Sequence, residues 1–182
     1  MLDPFHATTI ISVRHNGQVA VCGDGQVTIG HTVAKNSAKK VRKVNQGRVL
    51  CGFAGTASDA FTIMELFEQH LEKYPSNLPK ACVELAKEWR LDRRFRRLEA
   101  VLIASDASET FQISGSGDVL TPDDNVMAIG SGGVYALAAA RALIRHAPKL
   151  KADQIAQESM KIAAEICLYT NDNLTLEVLD SK

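Results

Sequence analysis

The 182-residue chain is 46% hydrophobic and 23% charged, and its 21 basic side chains balance 21 acidic ones. That length suits one domain and buries on the order of 70% of the unfolded surface, so a core forms without disulfides or metals. Zero net charge removes any general attraction to nucleic acid or an anionic membrane.

The chain opens with Met1 to Ala7, which has neither the basic start nor the apolar stretch of a secretory signal. Thr9 to Val13 and Val19 to Cys22 are β-branched runs separated by His15-Asn16-Gly17-Gln18, and Asn-Gly predicts a type I′ hairpin. Gly23-Asp24-Gly25 breaks the pattern before Val27 to Ile29 resumes it. A second hairpin is expected from Lys40 to Val44, a turn at Asn45-Gln46-Gly47, and Val49 to Phe53.

From Ser58 the period changes. Ala60, Phe61, Ile63, Met64, Leu66, Phe67 and Leu71 recur at helical spacing up to Lys73, and Pro75 closes the run. Pro79 suits the first turn of a second helix, whose stripe of Val83, Leu85, Ala86, Trp89, Phe95 and Leu98 carries it towards Leu98. Ala100 to Ala104 is apolar at every position, as in a strand covered on both faces. Thr110 to Ser114 and Val126 to Ile129 read as strands, and a turn is expected at 122–125. Helices follow from Val134 to His146 and from Asp153 to Leu168, and Leu174 to Leu179 reads as a final strand.

Strands, two helices, strands, two helices and a strand do not alternate as a doubly wound fold would. The expected fold is α+β: a four-layer αββα sandwich of two antiparallel sheets. The chain divides into a short leader, 1–7, and a single domain, 8–182.

Cys22, Cys51, Cys82 and Cys167 never form a C-x-x-C pair and lie in apolar stretches, as buried reduced thiols do. No apolar run approaches the ~18 residues of a membrane span, and a cytoplasmic location is expected. His6, His15, His31, His70 and His146 fit neither a nucleophile elbow nor H-E-x-x-H, and read as surface or capping residues. No phosphate-binding G-x-x-x-x-G-K-[ST] loop occurs.

Ile129-Gly130-Ser131-Gly132-Gly133 runs from a strand end into a helix start. It can hold an anion or oxyanion on exposed N–H groups, or serve as a serine N-cap with glycines for close packing. Arg90 to Arg97 carries five arginines, which on a continuing helix fan outward while Leu91, Phe95 and Leu98 point inward, giving a solvated face or a dock for an acidic partner. Strand alternation in Lys39 to Lys43 separates Lys39, Val41 and Lys43 from Lys40 and Arg42, so one lysine can point into a cleft.

Thr8 is the most informative residue. Cleavage after Ala7 gives it a hydroxyl nucleophile and a free α-amine, which titrates near ~7.7–8.0 and can act as general base. A lysine cation nearby favours the neutral amine and the alkoxide, and an aspartate orients the lysine.

Ala7-Thr8-Thr9-Ile10, Gly23-Asp24-Gly25-Gln26-Val27, Lys39-Lys40-Val41-Arg42, Gly52-Phe53-Ala54-Gly55, Asp59-Ala60-Phe61-Thr62, Glu84 to Arg90 and Ile129 to Gly133 occur here in one order and spacing. In these the chain resembles the HslV (ClpQ) family, the bacterial proteasome-related threonine peptidases among the N-terminal-nucleophile hydrolases. The resemblance runs from about His6 to Leu179 and implies the αββα sandwich. It places Thr8 on the nucleophile and Asp24 and Lys40 on its supporting acid and lysine. Gly52 falls on the residue whose N–H faces the oxyanion, with no side chain to hinder substrate. Ser131 falls near the threonine amine, and Ala164, Cys167 and Thr170 on backbone ligands of a sodium ion.

The same resemblance implies a dodecamer of two stacked hexameric rings, unfolded protein substrates and a separate hexameric unfoldase, HslU (ClpY). Seven residues before the threonine make processing a condition of activity. Two other readings stand beside this one: a non-catalytic ring subunit that keeps its leader, and an anion-binding module built on Gly130 to Gly133.

Overall fold

The computed structural model describes residues 8–181. Strands β1 (Thr9–His15) and β2 (Gln18–Gly23) form the predicted hairpin, and Asn16 and Gly17 take the positive φ values, 49° and 75°, that a type I′ turn demands. β3 (Val27–Ile29) pairs with β4 (Thr32–Lys35). The sequence reading lacks β4 because all its residues are exposed, so no buried face imposes a period on them. β5 (Val41–Val44) and β6 (Val49–Gly55) form the second expected hairpin.

Helix α1 (Ala57–Lys73) starts where Thr56 Oγ1 accepts the Asp59 N–H, and α2 (Leu78–Leu91) where Asn77 does the same for Lys80. Both stripes pack as core, with two exceptions: Phe61 and Val83 are exposed. The extension of α2 to Leu98 is corrected. Asp92 ends the helix, takes the Arg94 N–H on its carboxylate and accepts the Phe95 and Arg96 N–H groups on its carbonyl. Arg93 to Arg97 therefore lie in a turn, and Leu91 is 76% exposed instead of pointing inward; Phe95 and Leu98 still pack against the core.

β7 (Ala100–Ser105), β8 (Thr110–Ser114), β9 (Val119–Leu120) and β10 (Val126–Gly130) come next, followed by α3 (Gly133–His146), α4 (Ala152–Ile166) and β11 (Thr175–Asp180). The two-residue β9 is too short to leave a sequence signal.

The antiparallel sheets have orders β10-β1-β2-β11 and β5-β6-β7-β8-β9. Helices α3 and α4 pack on the first sheet over Ile11, Val13, Ala20 and Cys22. Helices α1 and α2 pack on the second over Cys51, Phe53, Leu102 and Ala104. Between the sheets lie Ile10, Val21, Val41, Leu50 and Ile103. β7 has Leu102 and Ala104 on one face and Ile103 on the other, which is why its sequence is apolar throughout.

Gly52 sits in this inter-sheet layer. A Cβ there would lie 2.5 Å from Ile10 Cγ2 and 3.3 Å from Val21 Cγ1. The missing side chain thus has a packing reason that the sequence reading did not give: it lets the two sheets close. Gly52→Ala is expected to lose about 1–3 kcal/mol through overpacking, read as a lower urea midpoint; an unchanged midpoint contradicts that packing.

Candidate active site

β1 begins where three other segments meet it. Thr8 is buried at the head of that strand. Its carbonyl accepts the Ser131 N–H at 2.9 Å. The next residue, Thr9, donates its N–H to Asp24 Oδ1 at 2.8 Å and accepts the Asp24 N–H on its carbonyl at 3.1 Å. Its hydroxyl accepts the Gly132 N–H at 2.8 Å and lies 2.7 Å from Thr170 Oγ1.

The Gly130 to Gly133 turn is shaped by this meeting. Gly130 has φ +87°, and a Cβ on it would collide with the Thr8 carbonyl oxygen. A Cβ on Gly132 would lie 2.5 Å from both threonine hydroxyls. The N-cap of α3 is Gly132, so Ser131 is not the capping serine; it donates its backbone to Thr8 and lines the cleft beside it.

Asp24 is fully buried, and both its oxygens are used. Oδ1 takes the Thr9 N–H and the Lys40 ammonium, the latter at 2.9 Å, while Oδ2 takes the Gln26 N–H at 2.9 Å. Lys40 also donates to the Gln26 carbonyl at 2.5 Å. It is 3% exposed, so it is the lysine of the basic run that turns inward, while Lys39 stays exposed. Burial pushes the Lys40 ammonium below its ordinary pKa, and the charge and hydrogen bond of Asp24 pull it back up.

Among the described residues, clefts open on two sides of Thr8. One, of about 530 Å³, is lined by Thr8, Ala54, Gly55, Glu99, Val101 and Ser131. The other, of about 780 Å³, runs past Thr8, Lys40, Arg42, Phe53 and Phe61. The exposed Phe61 ring here carries the Arg42 guanidinium 5.2 Å from its centroid.

The four cysteines are buried and unbridged. Burial and nearby Asp24 push the Cys22 thiol up to about 12, and burial raises Cys51 and Cys82 as well, so these are not thiolate nucleophiles. Histidine His6 lies outside the described residues. His70 departs from the expected surface role: its half-buried ring bonds Glu88 across α1 and α2 at 2.9 Å.

Ala164 lies in the last turn of α4, Cys167 caps that helix, and Thr170 donates its N–H to the Cys167 carbonyl at 3.1 Å. Ala164 and Cys167 stand at the C-terminal end of α4, where carbonyls carry negative partial charge, and backbone oxygens are the hard donors that a cation such as sodium would take.

The family model for proteasome subunits matches residues 4–179. The chain belongs to the proteasome subunit family. Among its relatives, a Cytophaga hutchinsonii protein named ATP-dependent protease subunit HslV is 51% identical over 176 residues, 97% of this chain and 98% of that one. A Staphylococcus aureus (strain JH9) protein of the same name is 55% identical over 175 residues, 96% of this chain and 97% of that one. The crystal structure of eukaryotic HslV from Trypanosoma brucei matches with a TM-score of 0.89 and 49% identity, over 94% of this chain and 99% of that chain. At 19% identity, Thiobacillus denitrificans BPH shares the fold alone, with a TM-score of 0.71 over 96% of this chain and 98% of that chain.

The structure thus gathers Thr8, Asp24, Lys40 and Ser131 at one corner of this proteasome-family fold and keeps Gly52 in the inter-sheet layer. Sequence reasoning missed Gln26 and Asn171, whose roles rest on backbone groups and long-range contacts that no local pattern records. Asp24→Asn leaves the Lys40 charge buried without its counter-ion, and is expected to cost about 3–5 kcal/mol at neutral pH. The lysine pKa then falls further in the folded state while the unfolded chain keeps the ordinary value. Between the two values the unfolded state binds more protons, so the deficit shrinks as pH rises. Urea midpoints at neutral and alkaline pH check this; a deficit that grows with pH contradicts it.

Proposed function

We propose that this chain is a threonine-type endopeptidase, the proteolytic core subunit of a two-component ATP-dependent protease. The observation that carries the reading is the buried Asp24–Lys40 pair anchored at the head of the strand that Thr8 begins. Relatives at 51% and 55% identity, named as protease subunits over nearly their whole length, support it.

Removal of the leader frees the Thr8 α-amine. The amine takes the hydroxyl proton as Oγ attacks the scissile carbonyl, and the proton passes to the leaving amine as the acyl-enzyme forms. Water then adds to the ester, which breaks to restore the Thr8 hydroxyl and release the acid. The Lys40 cation stabilises the alkoxide as it develops and holds the amine neutral; Asp24 keeps the lysine aimed. In this reading the Gly52 N–H receives the oxyanion and Ser131 steadies the amine through its place beside Thr8. A sodium ion on the carbonyls of Ala164, Cys167 and Thr170 would brace the turn that carries Thr170.

The nucleophile so formed has little sequence preference, which favours enclosure. The subunit would work inside a dodecamer of two stacked hexameric rings. Unfolded chains would be delivered by the HslU (ClpY) ATPase in the cytoplasm. Among the described residues no helix is long and apolar enough to cross a membrane.

Thr8→Ala is expected to abolish peptide hydrolysis with assembly intact, Thr8→Ser to keep part of it, and Lys40→Ala to lose turnover. Intact mass should show loss of Met1 to Ala7 in the active protein. Normal cleavage by Thr8→Ala, or full activity with the leader retained, overturns the assignment; a retained leader with no activity marks the non-catalytic ring subunit instead. Replacing sodium with tetramethylammonium is expected to lower turnover, and unaltered turnover removes the sodium assignment.

A further inference from the structure

The turn after α4 touches the head of β1, the Asp24 loop and the loop that leads to Lys40. Thr170 meets the Thr9 hydroxyl at 2.7 Å. One residue on, Asn171 makes contacts in three directions. Its Oδ1 accepts the Gly25 N–H at 3.0 Å, and its Nδ2 donates to the Asn36 carbonyl at 3.0 Å. Its own backbone N–H lies 3.4 Å from Asp24 Oδ2. Asn173 adds a bond from its Nδ2 to the same Asn36 carbonyl at 2.9 Å.

These contacts have a geometric consequence. Asp24 Oδ2 faces backbone N–H groups of Gln26 and Asn171, which turns Oδ1 towards Thr9 and Lys40. Asn36 begins the run that leads through Ala38, whose N–H bonds the Gly25 carbonyl at 2.9 Å, to Lys40. The crossing is tight: a Cβ on Gly25 would meet the Asn36 carbonyl oxygen and lie 3.1 Å from the Asn173 carbonyl oxygen. A single amide side chain therefore ties the loop bearing Asp24 to the loop bearing Lys40. An amide can do so because it both accepts and donates.

We infer that Asn171 is a positioning residue for the threonine peptidase reaction, its amide holding the Asp24 loop against the Lys40 loop so that the ammonium stays aimed at the nucleophile. The inference rests on the reading of Thr8 as nucleophile. Asn171 acts through Asp24 and Lys40 and has no part in bond making.

The test uses the mature, assembled protein with its ATPase and a fluorogenic peptide, comparing Asn171→Ala, Asn171→Asp and Thr8→Ala. Asn171→Ala slackens the two loops and is expected to lower kcat at least tenfold with KM within twofold, and to move the alkaline limb of kcat/KM to lower pH. Asn171→Asp keeps the shape and the acceptor for Gly25 but loses the donor to the Asn36 carbonyl, so its kcat is expected to fall as well, and it adds a negative charge beside Asp24. Its alkaline limb is expected to move to higher pH, because a second carboxylate holds Lys40 charged for longer.

A merely structural role would leave the alkaline limb of Asn171→Ala where it is in the wild type. If Asn171→Ala keeps the wild-type limb, or if activity falls only in proportion to lost assembled protein, the inference is overturned. Should Asn171→Ala fail to assemble, the kcat of assembled Asn171→Asp, which lacks the donor to the Asn36 carbonyl, decides alone: an unchanged value overturns the inference. Activity surviving in Thr8→Ala would overturn the nucleophile reading; an inactive Thr8→Ala beside unaffected Asn171 variants overturns only the role of Asn171.

Discussion

The rest of the site depends on one buried ion pair. Asp24 and Lys40 lie almost wholly out of water, where an unpaired charge costs several kcal/mol. The fold meets that cost with neighbours for both charges: N–H groups of Thr9 and Gln26 on the carboxylate, and the Gln26 carbonyl on the ammonium. A buried pair of this kind is weak as a stabiliser. Its worth lies in a fixed cation at the start of β1.

Close approach comes next in importance, and glycine provides it. Gly130 and Gly132 let the turn before α3 press against Thr8 and Thr9, and Gly25 lets the loops around Asp24 and Asn36 cross. Gly52 serves the same end one layer away by bringing β6 close to Ile10. The corner is thus built by contacts among β1, the Asp24 loop, the Asn36 loop, the turn before α3 and the turn after α4. Each contributes a hydrogen bond that the others cannot make.

The departures from the sequence reading have local physical causes. The arginine run continues a helical pattern on paper, but the Asp92 carboxylate and carbonyl capture the following N–H groups and turn the chain. Phe61 fits the apolar stripe of α1 yet faces the second cleft, where Arg42 covers its ring. β4 and β9 are exposed or too brief for a buried face to shape their composition.

Periodicity alone was enough for the layering: the β-branched hairpins, the all-apolar β7 and the amphipathic helix pairs specify two sheets between two helical layers, because burial imposes its period on the chain. A threonine behind a short leader marked Thr8 as a candidate nucleophile through the chemistry its freed amine would have, whereas Asp24 and Lys40 were singled out as its partners only by the resemblance of their motifs and spacing to the HslV family. The inward turn of Lys40, the orientation of Asp24 and the bridging amide of Asn171 were decided only in three dimensions. They depend on backbone groups more than a hundred residues apart in places, and a backbone N–H leaves no mark in the sequence that positions it.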